Sequence, residues 1–153
     1  IDIITEEDIG IPESDSGKVL LEVEKLLQSN KSFQTTILRM AGLYGYDRQP
    51  GRFLAGKKEV ANADGKVNLI HQDDCIQIIV NVLEKQLWGY VFNCCSNEHP
   101  TRREFYTQAA LALGIQPPKF LLEEKSSFKI ISNEKIKRAL NYTFIHPDPM
   151  ALD

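Results

Sequence analysis

Extended and helical patterns alternate along this chain, and that alternation restricts the available architectures more than any single motif does. The segment FQTTILRMAG carries β-branched and apolar residues in one short run, which predicts a buried strand from Thr35 to Met40. GYVFNCCS predicts a second, from Tyr90 to Cys94. Between and around them lie helical periodicities. Val19, Leu20, Val23, Leu26 and Leu27 fall on one helical stripe within a helix predicted over Gly17 to Gln28, ended by the SNKS cluster. VNLIHQDDCIQIIVNVLEK runs from a short apolar stretch into a helix predicted over Asp74 to Lys85, with Asp73 as N-cap and Asp74 against the positive end of its dipole. PTRREFYTQAALALG has the best-marked boundaries: Thr101 and Glu104 form a capping box and Gly114 supplies a left-handed C-cap, giving a helix from Thr101 to Leu113. After Pro117 and Pro118 comes an irregular apolar stretch. SNEKIKRALN then forms a short helix capped by Ser132 and ended near Asn141, and FIHPDPMALD is read as loop.

Such an order is α/β with parallel pairing. A doubly wound nucleotide-binding fold opens with a strand, a glycine-rich turn and a helix, yet none of the nine glycines forms that fingerprint. The expected architecture is therefore the later half of such a Rossmann-like, doubly wound α/β fold.

The 153 residues, 42% of them apolar, suffice for one domain with a sizeable core. A net charge of -3 with both signs interspersed lacks the basic bias of a phosphate-tracking surface, which argues against a nucleic-acid partner. No apolar run approaches the roughly 20 residues that span a bilayer, and IDIITEEDIG is acidic where a signal peptide is basic. A cytoplasmic protein without membrane partners is expected. Cys75, Cys94 and Cys95 show neither zinc spacing nor a disulfide framework, so buried free thiols are expected.

Several residues stand out chemically. Lys18 sits at the polar margin of the first helix. The segment LYGYDRQPGRFLAGKKEVANADGK is long and rich in glycine, charge and aromatics, which suits a binding loop or lid. Within it, Tyr44, Arg48 and Arg52 are able to grip a sugar or phosphate, the simpler reading being a solvated charged loop. His71, Asp73 and Asp74 at a loop-to-helix junction supply caps more naturally than a coordination sphere, so no metal site is expected.

Taken in order, TILRMAGLYG, VNLIHQDDCIQIIVNVL, GYVFNCCSNEHPTRREFYTQAALALG and ISNEKIKRALNYTFIHP resemble the C-terminal half of NAD-dependent epimerase/dehydratase proteins. These are the extended and atypical branch of the short-chain dehydrogenase/reductase superfamily. The resemblance spans nearly the whole chain. It implies that residues 1–153 are the C-terminal half of a Rossmann-like doubly wound parallel sheet with a small substrate-binding subdomain, part of a longer protein whose cofactor-binding N-terminal half is missing here, and that the parent binds NAD or NADP. It also implies a small-molecule substrate such as a nucleotide sugar, and a homodimer or an association with the missing half through an unpaired sheet edge.

The family places a tyrosine four residues before a lysine: the lysine holds the nicotinamide ribose and lowers the phenol pKa, so the tyrosine can pass a proton. Lys18 lies where that lysine is expected, but the fourth residue before it is Ser14, and no tyrosine precedes Tyr44. A serine hydroxyl is far less acidic than a phenol. Further implied are approach of Met40, Ala41, Gly42 and Leu43 to the nicotinamide end, a substrate-side role for Asn68 and His71, an ordering role for Asp74 at its helix start, and a structural anchor in Arg39. Two functions follow: an NAD(P)-dependent oxidoreductase or isomerase, or a non-catalytic dinucleotide-binding or interaction protein that lacks the tyrosine.

Overall fold

The structure, a computed structural model, describes residues 2–8, 10–122 and 128–151. Six strands pair two by two, each pair parallel. β1 (Asp2–Ile4) lies beside β6 (Lys129–Ile131), β2 (Ile37–Met40) beside β5 (Val91–Cys94), and β3 (Gly42–Tyr44) beside β4 (Leu69–His71). Ala41 N donates to Cys94 O at 2.9 Å at the end of the β2–β5 pair, and Ser96 N, just beyond β5, donates to Leu69 O of β4 at 2.7 Å, joining the last two pairs. The helices are α1 (Asp15–Ser29), α2 (Gln72–Glu84), α3 (Arg102–Ala112) and α4 (Glu134–Leu140). Mixed α/β order with parallel strands is what the alternation predicts. No helix among the described residues is long and apolar enough to cross a membrane.

Strand periodicity places the core. Phe92 and Cys94 of β5, with Leu38 and Met40 of β2, share one face, where they meet Ile78 and Val82 of α2, Ile136 and Leu140 of α4, and Phe144. Arg39, between Leu38 and Met40, points the other way and forks onto Glu24 of α1. Its Nη2 is 2.7 Å and its Nε 3.0 Å from that carboxylate, so the anchor expected of Arg39 is a carboxylate. A smaller core of Tyr44, Val67, Leu69 and Phe105 joins β3 and β4 to α3. All three cysteines are buried and unpaired; burial pushes the Cys75 thiol up to about 11 and those of Cys94 and Cys95 up to about 12.

Local signals set most helix ends. Thr101 and Glu104 make the expected capping box, and Gly114 (φ +64) closes α3 while Ile115 N donates to Ala110 O, a Schellman ending. Three ends differ from expectation. Ser14 caps α1, its Oγ accepting from Gly17 N at 3.1 Å, so the helix starts two residues before Gly17. His71, rather than Asp73, caps α2. Asn133, not Ser132, occupies the N-cap of α4, and its amide turns inward to Cys95 O and Asn97 Oδ1.

The stripe on α1 forms as a helix face but stays in solvent: no residue of α1 is buried, and Leu20 and Leu26 are 66% and 70% exposed. β1, β3, β4 and β6 were not foreseen; part of the irregular stretch, residues 123–127, and the last two residues of the tail lie outside the described residues.

Candidate functional site

The site lies at the carboxyl ends of β3 and β4, where Tyr44 pairs in register with His71. From His71 the chain turns directly into α2, and the imidazole makes that turn: Nδ1 accepts the Asp73 N–H at 3.1 Å. Asp73 is thereby left facing outward with both oxygens engaged. Oδ1 takes the Tyr46 hydroxyl at 2.5 Å, and Oδ2 lies 3.0 Å from His146 Nε2. His146 stacks on His71 with ring centroids 3.7 Å apart, and Tyr44 packs edge-on against His71 at 5.0 Å.

His146 arrives from the far end of the sequence because Asp74, fully buried, holds its segment. The Asp74 carboxylate accepts from Tyr142 Oη at 2.8 Å, Ile145 N at 2.7 Å and His146 N at 3.0 Å. Asp74 thus orders far more than the helix start expected of it.

A cleft of about 190 Å³ opens between this cluster and α3, lined by Tyr46, His71, His146, Gln49, Ala109 and Ala112 among others. Two glycines permit it. Gly45 (φ +117) lies against His71, and a Cβ there would stand 2.5 Å from Nε2. Gly51, in a single 3-10 turn over Pro50–Arg52, backs onto the Ala109 carbonyl, so the turn and α3 meet with no room for a side chain. The long loop is pinned rather than free: Gly56 N donates to Gln116 O, and Arg103 N and Arg102 N donate to Ala63 O and Gly65 O.

The electrostatics follow from these bonds. The hydrogen bonds from Tyr46 and then His146 hold the Asp73 carboxyl below its usual range, so it is a carboxylate at neutral pH. The bond to Asp73 raises the Tyr46 phenol, which keeps its proton. His71, Asp73 and His146 bring ligand-type atoms within 4.8 Å of one another. While His71 Nδ1 caps α2, however, its neutral ring carries the proton on Nε2, and a cation would have to take the capping lone pair. The arrangement is better suited to holding and moving protons.

The residues singled out in the sequence are dispersed. Tyr44 (5% exposed) and His71 share the cleft. Asn68 faces β6 instead, its Nδ2 donating to Lys129 O and its Oδ1 accepting from Ile131 N, both at 2.9 Å. Arg48 folds onto Leu43 O at 2.8 Å and over the Phe53 ring, while Arg52 ends its turn exposed. Met40 and Ala41 pack on the main core; Gly42 N bonds Asn68 O at 3.0 Å, and Leu43 is partly exposed. Lys18 Nζ pairs with Asp15 Oδ1 at 3.0 Å in the first turn of α1, in solvent. Sequence reasoning missed Tyr46, His146 and the acceptor role of Asp73. Its one usable signal was the IHP of the final resembling segment, because His146 and Asp73 are 73 residues apart.

No protein-family model matches the chain. Protein YeeZ of Escherichia coli (strain K12) is 39% identical over 142 residues, which are 92% of this chain and 52% of that protein. The chain spans about half the length of the curated relatives it matches. Among solved structures, a functionally unknown conserved protein from Silicibacter pomeroyi DSS superposes with a TM-score of 0.83 at 22% identity, covering 97% of this chain and 57% of that one. UDP-glucuronic acid 4-epimerase from Bacillus cereus, solved with NAD, gives 0.77 at 23% identity, over 94% and 51%. The fold is that of a C-terminal part of the NAD-dependent epimerases and dehydratases. In open α/β sheets generally, ligands bind outside the carboxyl ends of the strands, and the Tyr46–Asp73–His146 cluster stands at the carboxyl ends of β3 and β4.

Proposed function

We propose that these residues are the substrate-side part of a longer NAD(P)-dependent epimerase/dehydratase protein, an oxidoreductase or isomerase acting on a nucleotide sugar or similar hydroxyl-bearing small molecule. The observation that carries this reading is a cleft bearing Tyr46, His71 and His146 at the carboxyl ends of parallel strands, in a fold shared with an NAD-bound sugar-nucleotide epimerase. The exposed stripe of α1 is the face on which the rest of the longer protein, or a second copy, would pack.

The described residues fit only one end of a dinucleotide. Lys18 presents an exposed ammonium in the first turn of α1 and is the group that would hold a ribose. The glycines around the cleft form no pyrophosphate cradle: the space over Gly42, Gly45 and Gly51 is filled by Leu69, His71 and Ala109. The isolated 153 residues are therefore expected to show no micromolar NAD(H) binding in a calorimetric titration; a micromolar dissociation constant would overturn this division of the site.

A second reading is a protein that binds the dinucleotide without redox chemistry. It is favoured by Ser14, which stands at the tyrosine position and spends its hydroxyl as a helix cap. NAD(P)H formation by the full-length protein across a panel of nucleotide sugars separates the two. Lys18→Ala adds a further distinction. If Lys18 holds the ribose, losing a charge-assisted bond of about 1.5–3 kcal/mol weakens dinucleotide binding roughly ten- to a hundredfold. An unchanged constant in the folded variant assigns Lys18 to its solvated pair with Asp15, whose loss should alter stability by less than about 0.5 kcal/mol.

A further inference from the structure

Resting on that reading, we propose that the cleft is a proton-acceptor site for a hydroxyl of a single sugar ring, with His146 as the acceptor and Asp73 as its positioning residue. Nothing in the tyrosine-lysine pattern provides this site; it is built from Tyr46, Asp73 and His146.

The chemistry begins with the tautomer. Asp73 is a carboxylate and only accepts, so the 3.0 Å contact to His146 is a bond donated by Nε2–H. The neutral ring then carries its lone pair on Nδ1, for which no partner exists among the described residues. A carboxylate that fixes one imidazole tautomer and stabilises the imidazolium formed from it is the Asp–His half of a general-base device. The ring is also fixed from two other sides: Asp74 holds its backbone N–H at 3.0 Å, and His71 stacks on it at 3.7 Å. The step is simple in its balance. A ligand O–H bond breaks, its proton bonds to Nδ1, the electron pair stays on the ligand oxygen, and the positive charge on the ring faces Asp73.

The cleft selects for such a ligand by charge and size. No carboxylate, lysine or arginine is among the residues that line it; Asp73, behind the lining, is already engaged by Tyr46 and His146, and the Arg48 guanidinium is spent on Leu43 O. An anionic ligand group would find no cation there, whereas neutral hydroxyls would find the Tyr46 oxygen and the His146 ring. A volume of about 190 Å³ is below the roughly 300 Å³ at which drug-sized pockets begin, so one sugar ring, and not a whole nucleotide sugar, is the unit it takes.

The test uses the full-length protein with UDP-glucose as probe. Nitrogen NMR should show the neutral His146 ring protonated on Nε2, and Asp73→Asn, whose amide can donate to Nε2, should move that proton to Nδ1. Titration with UDP-glucose should shift the His146 ring signals. Where sugar-dependent NAD(P)H formation is measurable, His146→Gln should lower kcat about a hundredfold or more with KM for the dinucleotide unchanged. The inference fails if wild-type His146 is protonated on Nδ1, if Asp73→Asn leaves the tautomer unmoved, or if folded His146→Gln keeps kcat within about threefold. That last outcome leaves the proposed function standing. Absence of any turnover in the wild type strikes the proposed function instead, and the sugar site then stands or falls on whether UDP-glucose moves the His146 signals.

Discussion

Asp74→Ala is expected to lower folding stability by about 3–5 kcal/mol, the largest loss of any single polar substitution among the described residues. The carboxylate is fully buried and accepts from Tyr142 Oη, Ile145 N and His146 N. Alanine removes both acceptor oxygens and strands all three donors at once. Each stranded donor costs about 1–3 kcal/mol if it stays dry, but Tyr142 and His146 lie near the surface and water can reach part of the gap, which keeps the total below the simple sum. Asp74→Asn preserves volume and one good acceptor oxygen, so about 1–3 kcal/mol is expected. Tyr142→Phe, which removes a single donor along with its need for a partner, should cost about 1 kcal/mol. Urea unfolding of the three variants gives the order Ala, Asn, Phe. A loss under about 1 kcal/mol in Asp74→Ala would mean that the 142–146 segment is held by something other than this carboxylate. The same substitution should also release His146 from Asp73, because the backbone that aims the ring is the backbone Asp74 holds.

How much of this was legible in the sequence depends on the range of each interaction. α3 was read almost to the residue because every signal for it is local: Thr101 and Glu104 three apart at one end, Gly114 at the other. The start of α2 was misplaced because the cap is a histidine, outside the usual capping set, and because Asp73 is drawn away by Tyr46 and His146. β1, β3, β4 and β6 have three residues each, too few for a period of two to register, and each exists by virtue of a partner far along the chain. The stripe of α1 shows the opposite failure. Its periodicity is sound, yet periodicity states only that a face seeks cover, and the described residues supply none. The cleft combines both difficulties, since Tyr46 lay in a segment read as loop and His146 in a tail read as loop.

Gly51→Ala should be the most damaging of the glycine substitutions, at about 2–3 kcal/mol, and for a reason unrelated to backbone conformation. A Cβ at this position would enter the carbonyl group of Ala109 and crowd Ala110 N, both backbone atoms of α3, so no side-chain rotation can relieve it. The helix itself has to move. Ala109 and Ala112 form the cleft wall opposite His146, so the strain should appear as widened spacing across the cleft as well as lost stability. Gly56→Ala provides the contrast. Gly56 has φ +67 with nothing within 4 Å of its missing Cβ, so only the left-handed backbone penalty applies, about 1 kcal/mol. Denaturant unfolding ranks the two, and amide chemical shifts along α3 locate the effect. If Gly56→Ala proves the worse of the pair, or if Gly51→Ala leaves the α3 amides unmoved, then the turn and the helix are not in the direct backbone contact on which the shape of the cleft depends.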